Sequence, residues 1–157
     1  MRKDVIKCDI DIDNIPFPDK YFDLVFTKNL FEHLTNLGFA MSEIHRVLKN
    51  TGKLILLTDN ANFWGFSFGG THLGGYEKIR VKTDKVIEDR HYMLFTDWHL
   101  ENHAKKVGFR KVQVTYTLDN LSCSGIKGTV ITAFNLVFKY TPLKRMVYNT
   151  LKLEAIK

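Results

Sequence analysis

Short apolar runs alternate with amphipathic segments along this chain, and the pattern predicts an α/β unit near its start. Residues 22–27 (FDLVFT) and 53–58 (KLILLT) are almost continuously apolar, which is typical of strands buried on both faces of a parallel sheet. Between these runs, Leu37, Met41 and Ile44 fall close to helical spacing. The sequence therefore predicts a strand, a crossover helix and a second parallel strand.

The same pattern predicts further elements on both sides of this unit. Residues 4–10 (DVIKCDI) are predicted to form a short strand, and residues 110–117 alternate apolar and polar side chains like a half-exposed strand. Residues 129–139 are rich in β-formers, but their apolar positions recur at helical period, so we predict a helix. Residues 148–156 are predicted to form the last strand. The helix after residue 96 is expected to bury Trp98, Leu100, Ala104 and Val107.

Small polar residues follow both central runs, at the points where the predicted strands end. The first run leads into Thr27-Lys28-Asn29, and the second into Asp59-Asn60. Open α/β sheets bind their ligands at the carboxyl ends of parallel strands. We therefore expect the functional site at this edge of the sheet.

Five short motifs occur in a fixed order in the first third of the chain. They are PFPD at 16–19, FDLV at 22–25, EH at 32–33, EIHRVLK at 43–49 and GKL at 52–54. Together they resemble the class I S-adenosylmethionine-dependent methyltransferases, and most of all the small-molecule, methyltransferase type 11-like group. The resemblance extends from about residue 8 to residue 109. It implies a Rossmann-like α/β sheet of mostly parallel strands, with an antiparallel last strand inserted between the fifth and sixth.

The first half of the cofactor site of this family has no counterpart here. The family begins with a strand, a GxGxG turn and a helix, but no glycine of this chain precedes Gly38. We therefore expect residues 1–157 to form a single methyltransferase-like domain, truncated at its N-terminus, that corresponds to the last two-thirds of the family fold. The aromatic and glycine-rich residues at about 61–90 are interpreted as a lid-like insertion or as an irregular insertion that packs on the core.

The resemblance also implies which residues contact the cofactor. Asp9 and Ile10 correspond to the strand end beside the adenine, and Thr27, Asn29 and Leu30 follow the central strand, where the family contacts the adenine and methionine ends. For Asp9, a solvated turn shared with neighbouring acidic residues is an equal alternative. The implied cofactor is S-adenosylmethionine, and without the glycine-rich turn we expect weak binding or none.

Two histidines are candidates for a catalytic base, because imidazole titrates near neutral pH. His33 follows the cofactor edge, and a structural role is its alternative, as the resemblance implies. His91 precedes the helix near the insertion, where it is a candidate for contact with the substrate. His99 and His103 share a helix face but lack a third ligand. We predict no metal site.

Composition limits the remaining possibilities. The 157 residues have a net charge of +6, but the lysines are scattered and no nucleic-acid motif occurs, so nucleic acid is an unlikely partner. Two cysteines and the lack of a long apolar run indicate a cytoplasmic protein without a membrane span. If the first strands are missing, the edge of residues 22–27 needs cover. Either residues 4–10 pair beside it, or a second copy or a partner chain covers it, and we favour the second outcome.

The sequence thus supports two functions. The first is a S-adenosylmethionine-dependent methyltransferase, or a fragment of one, that transfers a methyl group to a small-molecule acceptor. The alternative is a catalytically inactive methyltransferase-like interaction protein that has lost the cofactor half-site. The resemblance leaves the methyl acceptor open, with a quinone, sugar, lipid, amine or small acid among the candidates.

Overall fold

A computed structural model describes residues 5–64, 80–82, 85–87, 91–118, 129, 133, 136–138 and 140–157. Its strands are β1 (Phe22–Lys28), β2 (Leu48–Asp59), β3 (Arg80–Lys82), β4 (Lys85–Ile87), β5 (Arg110–Thr117) and β6 (Thr150–Ile156). Its helices are α1 (Leu37–Val47), α2 (Asp97–Val107) and α3 (Lys144–Val147), and a 3₁₀ turn spans Phe31–His33.

The described strands form a four-stranded sheet with the order β1-β2-β6-β5. β1 pairs parallel with β2, while β6 pairs antiparallel with both β2 and β5. β3 and β4 form a separate antiparallel pair. The predicted α/β architecture is confirmed, and so is an antiparallel last strand inserted between its two neighbours.

The core lies between one face of this sheet and helices α1 and α2. Alternate residues of β2 and β6 are fully buried on this face, as period-2 alternation requires. The helices contribute the side chains that cover it. The main contributors are Leu54, Leu56, Leu151, Leu153, Met41, Ile44, Leu100 and Ala104.

Arg46 connects the loop before β1 to helix α1. Its guanidinium donates to the carbonyl oxygens of Ile15 and Phe17, both at 2.9 Å. It also donates to both carboxylate oxygens of Glu43 and to Asp19, each at 2.8 Å. The spacing of the PFPD and EIHRVLK motifs therefore has a structural reason: one motif supplies carbonyls and the other the guanidinium.

The predicted strand at residues 4–10 is wrong over its described part. Residues 5–9 have no strand assignment, and Val5 is 92% exposed. A strand needs a neighbour for its backbone groups, and no described strand pairs with this segment. The chain instead turns after Asp9, whose carbonyl accepts from the Asp13 amide at 2.7 Å.

Strand β1 is not buried on both faces as predicted. It occupies the end of the described sheet, and Leu24 and Phe26 are 52% and 58% exposed. Apolar composition alone does not distinguish a central strand from an edge strand whose neighbour is absent. Thr27 is the buried residue of this strand.

The later helices agree with the sequence in part. Leu100 and Ala104 of α2 are fully buried, but Trp98 is 65% exposed because it lies on a different face of the helix. In the predicted helix at 129–139, the described residues 129, 133 and 136–138 are helical, and the others lie outside the described residues. Most of the predicted lid at 61–90 also lies outside them.

Candidate functional site

The carboxyl ends of β1 and β2 lie side by side, because these two strands are parallel. The chain leaves β1 through Asn29, which has a positive φ of 50°. Asparagine tolerates this left-handed conformation better than most residues do. The Asn29 amide donates to the Leu57 carbonyl at 3.1 Å, so this turn stays attached to β2.

Thr27 and Leu30, also predicted to contact the cofactor, flank this turn. The Thr27 hydroxyl oxygen is buried and has no hydrogen-bond partner among the described residues. An unsatisfied buried hydroxyl costs free energy, and a polar ligand group would relieve that cost. Leu30 is partly buried and packs against the core.

Asp9 lies in the turn that replaces the predicted strand. Its exposed carboxylate accepts from the Asp11 amide at 3.1 Å, and Ile10 packs partly buried against the core. The structure therefore has the solvated turn that was the alternative prediction for Asp9. Its role toward a cofactor stays a prediction.

Asp11, not singled out as a site residue, attaches this turn to the start of α1. Its carboxylate accepts from the Thr35 and Asn36 amides at 2.9 Å and 3.0 Å. Burial raises the pKa of Asp11, but these hydrogen bonds outweigh it and leave the pKa below its usual value. Asp11 thus links the Asp9–Ile10 turn to Thr35, which follows the 3₁₀ turn after β1.

The structure brings the two candidate bases together. The rings of His33 and His91 lie 4.6 Å apart, edge to face at 83°. His33 ends the 3₁₀ turn after β1, whereas His91 comes from the segment before α2. Residues 58 positions apart in the chain thus meet at the predicted edge of the sheet, which the sequence did not predict.

Hydrogen bonds through Glu32 hold this pair in place. Its carbonyl accepts from the Tyr92 and Met93 amides at 2.7 Å and 3.2 Å, which fixes the segment that carries His91. Its carboxylate, 1% exposed, accepts from the Thr58 hydroxyl at 2.8 Å. Glu32 therefore joins the 3₁₀ turn both to the end of β2 and to the His91 segment.

Asp59, the last residue of β2, contacts His91 from the strand side. Its Oδ2 lies 3.4 Å from Nδ1 of His91. The sequence placed Asp59 at the ligand edge but gave it no role. The signal available was a polar pair, Thr58-Asp59, at the end of an otherwise apolar strand.

The remaining chemistry of the described residues is limited. They hold no group of histidine, cysteine and acidic side chains that could bind a metal ion. Within the same part of the chain, no helix is both long enough and apolar enough to cross a membrane.

Residues 2–56 match the model of a methyltransferase domain family. An uncharacterised protein of Methanocaldococcus jannaschii is 49% identical over 47 residues, which are 30% of this chain and 20% of that protein. The ubiquinone/menaquinone biosynthesis C-methyltransferase of Burkholderia cenocepacia is 25% identical over 130 residues, or 83% of this chain and 53% of that enzyme. The chain thus spans about half, or less, of these relatives.

Solved methyltransferase structures share the fold. A S-adenosylmethionine-dependent methyltransferase of Archaeoglobus fulgidus has a TM-score of 0.62 at 18% identity, with 97% of this chain and 66% of that chain covered. A phosphoethanolamine N-methyltransferase of Haemonchus contortus, in complex with S-adenosylmethionine, has a TM-score of 0.55 at 19% identity and covers 96% of this chain and 36% of its own.

The family match and the shared fold confirm the resemblance to the class I S-adenosylmethionine-dependent methyltransferases. The sheet is Rossmann-like, as predicted. The cofactor implied by the family match and the structural relatives is S-adenosylmethionine.

Proposed function

We propose that this chain is the acceptor-side part of a S-adenosylmethionine-dependent methyltransferase that acts on a small molecule. The observation that carries the proposal is the His33–His91 pair, at the end of β2 and beside the carboxyl end of β1. A site at this edge, with titratable side chains next to the expected cofactor position, suits group transfer.

The described residues fit one side of the cofactor. The buried, orphaned Thr27 hydroxyl and the left-handed turn at Asn29 supply polar groups, and Leu30 and Ile10 offer apolar cover. Asp9 is the candidate acceptor for the adenine amino group. Since no described residue supplies a glycine-rich turn, this is a partial site.

When bound, the cofactor would supply an electrophilic methyl group on a sulfonium centre. The work left to the protein is to orient the acceptor and, where the acceptor carries a proton, to remove it. His33 and His91 are the residues that we propose for the second task. The small-molecule acceptor is also part of the proposal: relatives are named for quinone biosynthesis and for phosphoethanolamine, which differ too much to indicate one substrate.

We place this reaction in the cytoplasm, as the sequence predicts. Cys8 is a free thiol, which agrees with a reducing compartment.

Calorimetric titration with S-adenosylmethionine and its demethylated product tests the proposal. Each hydrogen bond that the absent glycine turn would have made is worth about 0.5–1.5 kcal/mol. We therefore expect a dissociation constant of about 1 mM. A micromolar constant would contradict the expected weakness, and no binding to either compound at millimolar concentration would favour the alternative, an interaction protein that has lost the cofactor half-site.

A further inference from the structure

Asp59 and His91 face each other in a largely buried position. The two side chains are 20% and 11% exposed, and Oδ2 of Asp59 lies 3.4 Å from Nδ1 of His91. At 3.4 Å this is an electrostatic contact that does not meet hydrogen-bond geometry. Because a carboxylate oxygen repels a nitrogen lone pair and attracts an N–H, we expect Nδ1 to carry the proton. In the neutral ring, the lone pair then belongs to Nε2.

Both partners are attached to well-bonded backbone. Asp59 ends a strand that is paired on both sides, with β1 and with β6. The His91 segment is bonded to the Glu32 carbonyl through the Tyr92 and Met93 amides. The ring of His91 is therefore contacted by Asp59 from β2 and by His33 from the 3₁₀ turn. Among the described residues, the acidic Glu32 also borders this segment, and its carboxylate is bonded to Thr58.

We propose that Asp59 is a positioning residue that makes His91, rather than His33, the proton acceptor of this site. The inference rests on the proposed function and narrows its substrate class to acceptors whose nucleophilic atom carries a proton, such as a hydroxyl. In the step that His91 performs, the O–H bond of the acceptor breaks and an Nε2–H bond forms, and the proton later leaves to solvent. The oxygen keeps the electron pair of that bond. With the cofactor bound, this pair would form the new O–CH3 bond while the S–CH3 bond breaks and its pair stays on sulfur.

The tautomer of His91 is directly measurable. Long-range ¹H–¹⁵N correlation spectra of the imidazole rings distinguish Nδ1–H from Nε2–H without any cofactor. We expect Nδ1–H for neutral His91 in the wild-type chain, retention in Asp59→Glu, and a shift toward Nε2–H in Asp59→Ala. His45, which packs on Phe109 away from this site, is the control ring and keeps its tautomer in each variant.

An Nε2–H tautomer of His91 in the wild type, or one that Asp59→Ala leaves unchanged, overturns the proposal. The tautomer of His91 in the wild type is read from the wild-type spectrum alone, so the proposal can be tested even if a variant fails to fold. Because no cofactor is needed, this failure is separate from failure of the calorimetric titration.

The proton-acceptor role has its own probe. 4-Nitrophenol carries a hydroxyl and absorbs differently once deprotonated. At a pH below its solution titration, we expect the wild-type chain to raise the nitrophenolate band, His45→Gln, away from this site, to retain this increase, and His91→Gln to lose it. An equal increase with His91→Gln, or none with the wild type, overturns the assignment.

Discussion

At the scale of single residues, Arg46 has the densest set of described contacts outside the candidate site. Its guanidinium bonds two carbonyl oxygens and two carboxylates, which connects the PFPD loop and the residue before it to helix α1. The side chain of its partner Glu43 is 10% exposed. An interaction shielded to this degree is worth more than an exposed ion pair.

Replacing this guanidinium should destabilise the fold. Arg46→Met leaves the Glu43 carboxylate short of donors, and we expect a loss of about 2–3 kcal/mol in the free energy of unfolding. Lys105→Met, which breaks the exposed Lys105–Glu101 pair, is the matched control and should cost less than about 1 kcal/mol. Urea denaturation measures both; equal losses would contradict the importance of the network.

The same contacts predict acid sensitivity. The hydrogen bond from Arg46 holds the pKa of Glu43 below its ordinary value of 4.5, and likewise that of Asp19 below 3.8. A carboxyl group whose pKa is lower in the folded than in the unfolded state stabilises the fold fully at a pH above its unfolded-state pKa. This stabilisation is lost as the pH falls through the folded-state pKa. We expect the wild type to lose stability as the pH falls below 4.5 and Arg46→Met to lose less. Parallel denaturation curves at about pH 6 and about pH 3 test this; equal losses would contradict it.

At the scale of elements, the sequence predicted those whose partners are local. Strand β1, helix α1 and strand β2 follow each other directly, and their period and polar ends were enough to place them. The strand prediction for residues 5–10 was wrong because a strand needs a neighbouring strand, and the sequence pattern does not reveal whether one is there. The predicted burial of β1 on both faces was wrong at Phe26 for the same reason.

The sequence likewise predicted one feature of the candidate site and missed another. Its position at the carboxyl edge followed from the polar residues after β1 and β2. The contact between His33 and His91 did not, because it depends on the path of the chain between β2 and α2 and on two hydrogen bonds to the Glu32 carbonyl. No periodicity in the sequence encodes such a long-range contact.

Helix α2 ends at Gly108, which has a left-handed backbone conformation. Gly108 has a φ of 114°, and an added Cβ would lie 3.4 Å from Nε2 of His45. We expect Gly108→Ala to cost about 1–2 kcal/mol of unfolding free energy, because L side chains disfavour this conformation. Gly38→Ala in α1, where a Cβ meets nothing within 4 Å, is the matched control and should stabilise by about 0.5–1 kcal/mol. Thermal denaturation compares the two; a neutral Gly108→Ala would contradict the argument.

At the scale of the whole molecule, β1 presents an apolar strand edge. No described strand pairs with its second side, and residues 24–27 carry no charge that would discourage pairing. We propose that the chain self-associates through β1.

Sedimentation velocity over a range of concentrations tests this association. We expect the mean mass of the wild type to rise with concentration, and that of Phe26→Lys to stay constant, because a charged edge strand resists pairing. Trp98→Lys replaces another exposed aromatic residue, on α2, and should behave like the wild type. A wild type that stays monomeric at high concentration would contradict the proposal.

The central claim is that the carboxyl edge of β1 and β2 is a cofactor half-site. An NMR titration of the isotope-labelled chain with S-adenosylhomocysteine tests it most directly, since chemical shifts detect millimolar binding and locate it. The account predicts shift changes at Asp9, Ile10, Asn29 and Leu30, with the amides of β5 unaffected. Changes centred on β5 and β6, or none at millimolar ligand, would contradict it.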